Sequence, residues 1–324
     1  MQAITFKSSG HDDYLDFLKG VCILFIILNH CLPEAWFGST LFYFWGRFAV
    51  PIFLFIQVFH GYKRGLEGLY THWGKIWRRV VKPFILVNIL IVGSLLIRPI
   101  LDNRLSASTV FWSIIPGGPG GYYPWIYVQF AVLLPLLAPL LQRWGEAKSA
   151  VVFIVASQCM EIACCLCHLP EWAYRLLFFR YTFIIYLGYL MVKHKGKVND
   201  WQMLLLAGIS IAAIFFFCYT GISLRPWFYD YRETHWICYF HIVTLVLLLS
   251  MAYRHCGKAI ASFIGHLGVC SYEIFLCQLA YFSLFYDSLR QLLEPLGHPF
   301  AVSMAMIAVS VAVSIAPAFF MKRL

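Results

Sequence analysis

Lys19 and His30 lie eleven positions apart on the first long apolar stretch of the chain, which runs from position 14 to position 32. A stretch of this length and hydrophobicity is typical of a membrane-spanning helix. On a helix the two side chains share one face and stand about 16 Å apart along the axis. Because a cation and an imidazole are costly in lipid, this face is expected to line a protein interior or a water-filled cavity.

The composition is that of an integral membrane protein. Of the 324 residues, 61% are hydrophobic and only 12% are charged, and the mean hydropathy is +0.74. A soluble domain carries about 25% charged residues. The chain is therefore predicted to be a single all-α membrane domain over residues 1–324. The first apolar stretch is too long for a signal peptide, so it is expected to remain as a span.

About ten apolar segments reach the length that a membrane-spanning helix needs. Their predicted bounds are 14–32, 41–60, 82–98, 122–141, 149–168, 173–192, 201–221, 235–253, 268–287 and 299–320. The stretch 105–120 is shorter and contains several Gly and Pro residues, which favours a re-entrant or outer loop.

Basic residues are concentrated on one side of these predicted spans. With a cytoplasmic N-terminus, sixteen of the 25 Lys and Arg residues fall in inner loops, five fall in outer loops and four lie within spans. The positive-inside rule then predicts that both termini are cytoplasmic. The net charge of +10 follows these loops and does not indicate a nucleic-acid partner.

A basic run at positions 75–82 includes Arg78, Arg79 and Lys82. Two interpretations of this run remain open. It is either a topology signal alone, or a docking site for the phosphates of a cytoplasmic donor, because guanidinium groups suit phosphate. Asp16 lies three positions before Lys19 on the first predicted helix, so an ion pair is expected there.

Further polar side chains fall in the predicted outer half of the spans, where they are expected to face the protein interior. Glu161 and Arg180 lie at matched depths on neighbouring spans and are expected to pair, either for packing or within a substrate site. His241 is expected to be a structural histidine. The remaining two polar residues at this depth, apart from His30, are Arg47 and Gln129.

The eleven cysteines give no prediction of a metal site. The cluster that precedes His168 matches none of the standard zinc spacings. Cysteine in an apolar helix packs as a small hydrophobic residue, so no metal cofactor is predicted.

Five stretches, taken in order along the chain, resemble the type-3 membrane acyltransferases, a family of bacterial enzymes that O-acylate surface polysaccharides and other glycans. The segment from Lys19 to His30 is similar to the family's Arg-x10-His signature, with Lys in place of Arg. The other matching stretches are 47–62, 75–84, 121–137 and 268–278. Two further departures are Gln57, where the family usually has Ser, and Gln278, where His is common.

The resemblance implies an acyl-CoA donor, expected to be acetyl-CoA, which approaches from the cytoplasm. The acceptor would be a hydroxyl of a glycan or lipid-linked saccharide, and the protein would reside in the lipid bilayer of the inner (plasma) membrane. His30 would be the general base, because a hydroxyl attacks well only when a base removes its proton. Lys19, on the same helix face as His30, would be a second catalytic residue and would neutralise charge on CoA.

The resemblance also implies roles for the other polar residues. The residues expected to bind the CoA phosphates are Arg78, Arg79 and Lys82. A guanidinium group would stabilise the developing oxyanion, supplied by Arg47 or Arg180. The residues expected at the acceptor site are Arg47, Gln129, Glu161 and Arg180.

Two other functions remain open at this point. A transporter or flippase for a lipid-linked sugar or small anion would line its pathway with the same buried charges. An N-acyltransferase would act on an amino sugar. Formation of an acylated product separates an enzyme from a carrier.

Overall fold

The chain folds into a bundle of α-helices, seen in a computed structural model. The structure describes residues 12–63, 73–102, 106, 110, 120–194, 201–229 and 235–321. The helices in chain order are α1 (Asp13–Cys31), α2 (Glu34–Ser39), α3 (Phe42–Trp45), α4 (Ala49–Lys63), α5 (Trp73–Ile76), α6 (Lys82–Leu101), α7 (Tyr122–Trp144), α8 (Glu146–Leu166), α9 (Glu171–Leu176), α10 (Thr182–Lys193), α11 (Trp201–Tyr219), α12 (His241–His255), α13 (Lys258–Val269), α14 (Ser271–Leu284), α15 (Tyr286–Leu293) and α16 (Pro299–Met321). No β-strand occurs in these ranges.

Short segments of other helical types join these elements. A π-helical turn connects α5 to α6, and single 3₁₀ turns precede α4, α10 and α12 and follow α15. Their bounds are Trp77–Val81 for the π turn and Gly46–Phe48, Phe178–Tyr181, Trp236–Cys238 and Glu294–Leu296 for the 3₁₀ turns.

Local chemistry fixes both ends of α1. At its start, the Asp12 side chain accepts a hydrogen bond from the Tyr14 backbone N–H at 3.2 Å, which satisfies one of the free amides of the first turn. At its end, Leu32 is extended because the following Pro33 disfavours a helical conformation in the residue before it. The helix therefore ends at Cys31, one residue after His30, which keeps the imidazole in its last turn.

Several of these helices are suited to crossing a membrane. Among the described residues, six helical segments are long and apolar enough, or seven if the bent pair α13 and α14 counts as one span. The predicted segments 122–141 and 201–221 correspond to shorter apolar stretches, Tyr122–Leu137 and Leu204–Tyr219. The protein is thus a multi-pass membrane protein, while the number ten and the orientation of the termini stay predictions.

Two predicted spans have a different shape in the structure. The segment predicted at 173–192 is broken at Leu177, which is extended and separates α9 from the 3₁₀ turn that precedes α10. The span predicted at 268–287 begins at a bend of 68° between α13 and α14. Apolar residues continue through both breaks, so hydropathy alone could not locate them. The predicted loop at 105–120 lies almost wholly outside the described residues.

Helix α1 is packed directly against α13 through two glycines. A Cβ atom added at Gly268 would lie 1.7 Å from the carbonyl oxygen of Asp16, and one at Gly20 would lie 1.9 Å from that of Ile264. Only glycine permits backbones to approach this closely, as in small-residue contacts between membrane helices. This contact fixes α1 in the bundle, where α4, α14 and α16 also pack against it.

Candidate functional site

Three cavities meet end to end inside the bundle. We call them the lower cavity, of about 830 Å³, the central chamber, of about 40 Å³, and the upper cavity, of about 1190 Å³. The lower cavity and the central chamber share three lining residues: Ile26, Tyr123 and Phe275. The central chamber and the upper cavity share three others: Asn29, His30 and Arg47. The cavities therefore form a path with a narrow middle.

One face of α1 lines the whole path. Lys19 and Ile23 line the lower cavity, and Ile26 lies where that cavity joins the central chamber. His30 follows on the chamber and the upper cavity. Steps of four, three and four residues trace a single helix face. The structure thus agrees with the prediction that Lys19 and His30 share one face and that this face is turned toward a cavity.

The lower cavity has a cationic lining. The Lys19 Nζ donates a hydrogen bond to Asp16 Oδ1 at 2.6 Å, which confirms the predicted ion pair. Arg78 and Arg79 line the same cavity and are exposed. Further titratable groups to which the sequence analysis gave no function also line it, among them His60 and Glu273.

The π turn Trp77–Val81 determines where the two arginines lie. A π turn alters the local backbone hydrogen bonding of a helix and is often found at functional sites. Here the Tyr272 hydroxyl donates to the Val80 carbonyl at 2.6 Å, which ties the turn to α14. Lys82, the third predicted CoA ligand, is the first residue of α6; it is exposed and lies outside the lining of the lower cavity.

His30 lies against a glycine backbone and an aromatic ring. Gly120 has a φ of +86°, and a Cβ atom there would lie 3.6 Å from the His30 Nε2 and 3.4 Å from the Phe275 ring. Glycine suits both this conformation and the close approach. The Phe282 ring centroid lies 5.4 Å from that of the imidazole. These contacts hold the ring where it borders both the central chamber and the upper cavity.

Among the residues that the structure describes, two arginines lie within electrostatic range of His30: Arg47 and Arg175. Arg47 lines the central chamber and the upper cavity, and its guanidinium carbon lies 5.2 Å from the Phe37 ring centroid. Arg175 lines the upper cavity. Sequence reasoning left Arg175 without a role, because its position depends on the break at Leu177.

Asn29 was also missed by sequence reasoning. It precedes His30 and lines the same two cavities. Its Oδ1 atom is buried, and no hydrogen-bond partner for it lies among the residues that the structure describes. A buried acceptor atom of this kind is costly unless it is bonded. The only signal for Asn29 in the sequence is that it is a polar residue next to His30.

Arg180 lies behind the wall of the central chamber. Its guanidinium carbon is 4.4 Å from the ring centroid of Tyr181, 5.1 Å from that of Tyr122 and 5.8 Å from that of Tyr174. Tyr122 and Tyr181 line the chamber. Tyr122 also lies 5.1 Å from the guanidinium of Arg175. The cation thus supports the aromatic wall through cation–π contacts.

Glu161 is connected to Arg180 through Tyr174. The Tyr174 hydroxyl donates to Glu161 Oε1 at 2.8 Å, while its ring contacts the guanidinium of Arg180. The other Glu161 oxygen accepts from the Tyr229 backbone N–H at 3.1 Å, and His235 Nδ1 lies 3.3 Å from Oε1. The predicted partnership therefore takes an indirect form, in a buried network that borders no part of the path.

Two further predicted residues make backbone contacts. Gln129 donates to the Leu176 carbonyl at 2.7 Å and accepts from the Phe178 N–H at 3.1 Å, so it holds both sides of the break at Leu177. His241 Nε2 bonds the Phe44 carbonyl at 2.7 Å, which agrees with its expected structural role.

One of the comparisons with known proteins finds a match. A family model described as an acyltransferase domain matches residues 12–318. The match covers nearly the whole chain and includes every candidate residue. No curated protein and no solved structure matches the chain.

Proposed function

The chain belongs to the type-3 acyltransferase family, and from this premise we propose that it moves an acyl group from acyl-CoA to a hydroxyl of a glycan or lipid-linked saccharide. Membership confirms the resemblance drawn from the sequence and makes the protein an acyltransferase of the lipid bilayer. The proposal adds an acetyl donor, a location in the inner membrane and His30 as the base.

The observation that carries this proposal is the position of His30. Its imidazole borders the narrow chamber that joins a cationic cavity to a second, larger cavity. A donor with phosphates and an acceptor with hydroxyls can therefore reach one side chain from opposite directions. Arg78 and Arg79, with Lys19 beyond them, suit the phosphates of CoA. Lys82 would add a more distant positive charge.

The length of the path suits an extended donor. Lys19 and His30 stand about 16 Å apart on α1. We call Arg78 and Arg79 the cationic rim of the lower cavity. With its phosphates at this rim, CoA would extend its pantetheine arm through the lower cavity and place the thioester in the central chamber. The inner loops predicted from charge put this rim on the cytoplasmic side, where acyl-CoA is made.

The reaction then follows from the groups around His30. The imidazole takes the proton of the acceptor hydroxyl while the hydroxyl oxygen attacks the thioester carbonyl carbon. Arg47 stabilises the negative charge that develops on the carbonyl oxygen. When the intermediate collapses, the new C–O ester bond remains, the C–S bond breaks, and the imidazolium returns the proton to the sulfur of CoA.

Neighbouring residues would orient the acceptor. The Asn29 Oδ1 is suited to accept a hydrogen bond from a second hydroxyl of the sugar, because it is buried beside His30 and lines the upper cavity. Arg175 would add positive charge beside the developing oxyanion. We assign Gln129, Glu161 and Arg180 a positioning role, since their contacts fix the segment and the wall around the chamber.

The N-acyltransferase alternative would use the same groups with an amine as the nucleophile. The two chemistries differ in their products, because mild alkali cleaves an ester and leaves an amide intact. The carrier alternative fits the family poorly, and it would leave the acyl group on its donor.

The test uses membranes from the native cells. The gene for this protein is deleted from these cells and then restored as wild type or as a variant. Supplied with radiolabelled acetyl-CoA, the wild type should transfer alkali-labile label to a saccharide, and the His30→Ala variant should not. His241→Gln is the matched control, because His241 is a buried histidine away from the path. Absence of any labelled product with the wild type would overturn the proposal.

A further inference from the structure

The narrow middle of the path limits what can be transferred. The central chamber has a volume of about 40 Å³, against about 830 Å³ for the lower cavity. A water-sized group needs roughly 10–15 Å³ of such space, so the chamber has room for about three non-hydrogen atoms. An acetyl group has that number: one methyl carbon, one carbonyl carbon and one oxygen.

The entrance to the chamber is a collar of three residues from different helices. Ile26 comes from α1, Tyr123 from α7 and Phe275 from α14, and each lines both the lower cavity and the chamber. Ile26 lies one helical turn before His30. The collar therefore stands about 6 Å from the proposed base along the axis of α1.

The collar is held firmly by its neighbours. The Phe275 side chain is 3% exposed, and its ring centroid lies 5.8 Å from that of Tyr123 and 5.9 Å from that of Tyr272. Tyr123 also packs against Phe53, with centroids 5.9 Å apart. Aromatic pairs at these separations are stabilising beyond their buried area. The ring cannot swing aside without breaking several contacts.

Phe275 also closes the chamber on the side of Gly120. The Cε2 atom of its ring lies 3.4 Å from the position of a Cβ at Gly120, while His30 Nε2 lies 3.6 Å from the same point. One ring edge and the imidazole thus face the same short stretch of backbone. A longer acyl chain on the thioester would have to occupy the space that this ring fills.

We propose that Phe275, with Ile26 and Tyr123, sets the acyl specificity of the enzyme by admitting an acetyl group and excluding acyl chains of four or more carbons. This inference rests on the proposed function, because it assumes a thioester beside His30. It adds the residues that select the donor, which the family match does not identify.

The experiment compares acetyl-, propionyl-, butyryl- and hexanoyl-CoA in the restored membranes. For the wild type, transfer of butyryl should be at least about tenfold slower than transfer of acetyl, since one methylene in a tight pocket is worth about 10- to 200-fold. The Phe275→Leu variant removes the ring but keeps an apolar side chain. It should raise the butyryl-to-acetyl ratio about tenfold or more.

Phe282→Leu is the matched control. Phe282 is also a buried phenylalanine of α14 that contacts His30, but it lies outside the lining of the chamber. This change should alter the rate with every donor by a similar factor and leave the ratio unchanged. Ile26→Ala provides a second enlargement of the collar, in case Phe275→Leu does not insert.

The outcomes distinguish a failure of the proposed acyl selection from a failure of the proposed function. Failure to label the acceptor with any of the four donors contradicts the proposed function. Equal transfer of acetyl and butyryl by the wild type, or a ratio that neither Phe275→Leu nor Ile26→Ala changes, contradicts the acyl selection while leaving acyl transfer in place.

Discussion

Lys19 and His30 belong to one helix and face the same path, Lys19 in the lower cavity and His30 at the narrow middle. Lys19 lines the lower cavity with its ammonium group bonded to Asp16, whereas His30 borders the central chamber and the upper cavity. The backbone of α1 therefore sets the spacing between the proposed phosphate-binding rim and the proposed base.

The central prediction concerns His30 itself. His30→Gln keeps a polar side chain of similar size but cannot accept the proton, so transfer should fall by about 10² to 10⁴. The measurement is the initial rate of acetyl transfer at saturating acetyl-CoA, normalised to the amount of inserted protein. A Gln variant that stays near the wild-type rate while His30→Ala fails would assign His30 a role in hydrogen bonding only.

The second prediction concerns donor binding at the π turn. Reversing the charge of Arg78 and Arg79 to Glu should raise the KM for acetyl-CoA by tenfold or more, because charge-assisted bonds to phosphate are lost. Lys75→Glu is the control, since Lys75 is exposed in the same basic run but lies outside the lining of the lower cavity. If all three changes shift KM equally, the run acts through its overall charge.

A third prediction concerns the packing of α1. Gly268→Ala should destabilise the protein by about 1–3 kcal/mol, which is the usual cost of forcing atoms into a packed interior. The added Cβ would meet the Asp16 carbonyl. Gly265→Ala, one turn earlier on α13, meets nothing within 4 Å and should be neutral. Thermal unfolding in detergent compares the two, and equal stabilities would show that the helices separate easily.

The buried network around Glu161 gives a fourth prediction. Tyr174→Phe and Glu161→Gln each weaken the hydrogen bond between these side chains, so their effects on stability should not add. A bond to a charged group is worth about 1.5–3 kcal/mol, and the double-mutant cycle should return a coupling of that order. Strict additivity would mean that the two side chains act independently.

The fifth prediction concerns topology. A reporter fused after Leu324 should report a cytoplasmic C-terminus, because most basic residues fall on the side assigned to the cytoplasm. Alkaline phosphatase and green fluorescent protein fusions at the same position give opposite signals. An active phosphatase there would reverse the orientation and place the cationic rim outside.

Much of the bundle could be predicted because hydropathy reports the length of each apolar helix. The first predicted span, 14–32, differs from α1 by one residue at each end. Hydropathy could not reveal the break at Leu177 or the bend after Val269, because backbone direction changes there without a change in composition. Residue spacing likewise sufficed for Lys19 and His30, which lie on one helix.

The rest of the site depends on contacts between distant segments. Gly120 and Phe275 line the central chamber with His30 but come from two other parts of the chain, and nothing in the local sequence of either indicates this. Tyr174 contacts both Glu161 and Arg180. The matched depths of these two residues in the sequence predict only a direct pair between them. Contacts of this kind can be known only from the tertiary structure. In the sequence, two residues of the same type look alike, and they differ only in the groups that they contact in the fold.

The difference in volume between the lower cavity and the central chamber has a consequence for the direction of the proposed reaction. In that reaction the CoA body would occupy a space many times larger than the chamber, so spent CoA would leave by the route through which the donor entered. The ester product, formed beyond the collar, would depart on the opposite side. Two carbons would thus cross the membrane while their carrier is recovered within the cell, so that the proposed enzyme would export a chemical group without losing the coenzyme that delivered it.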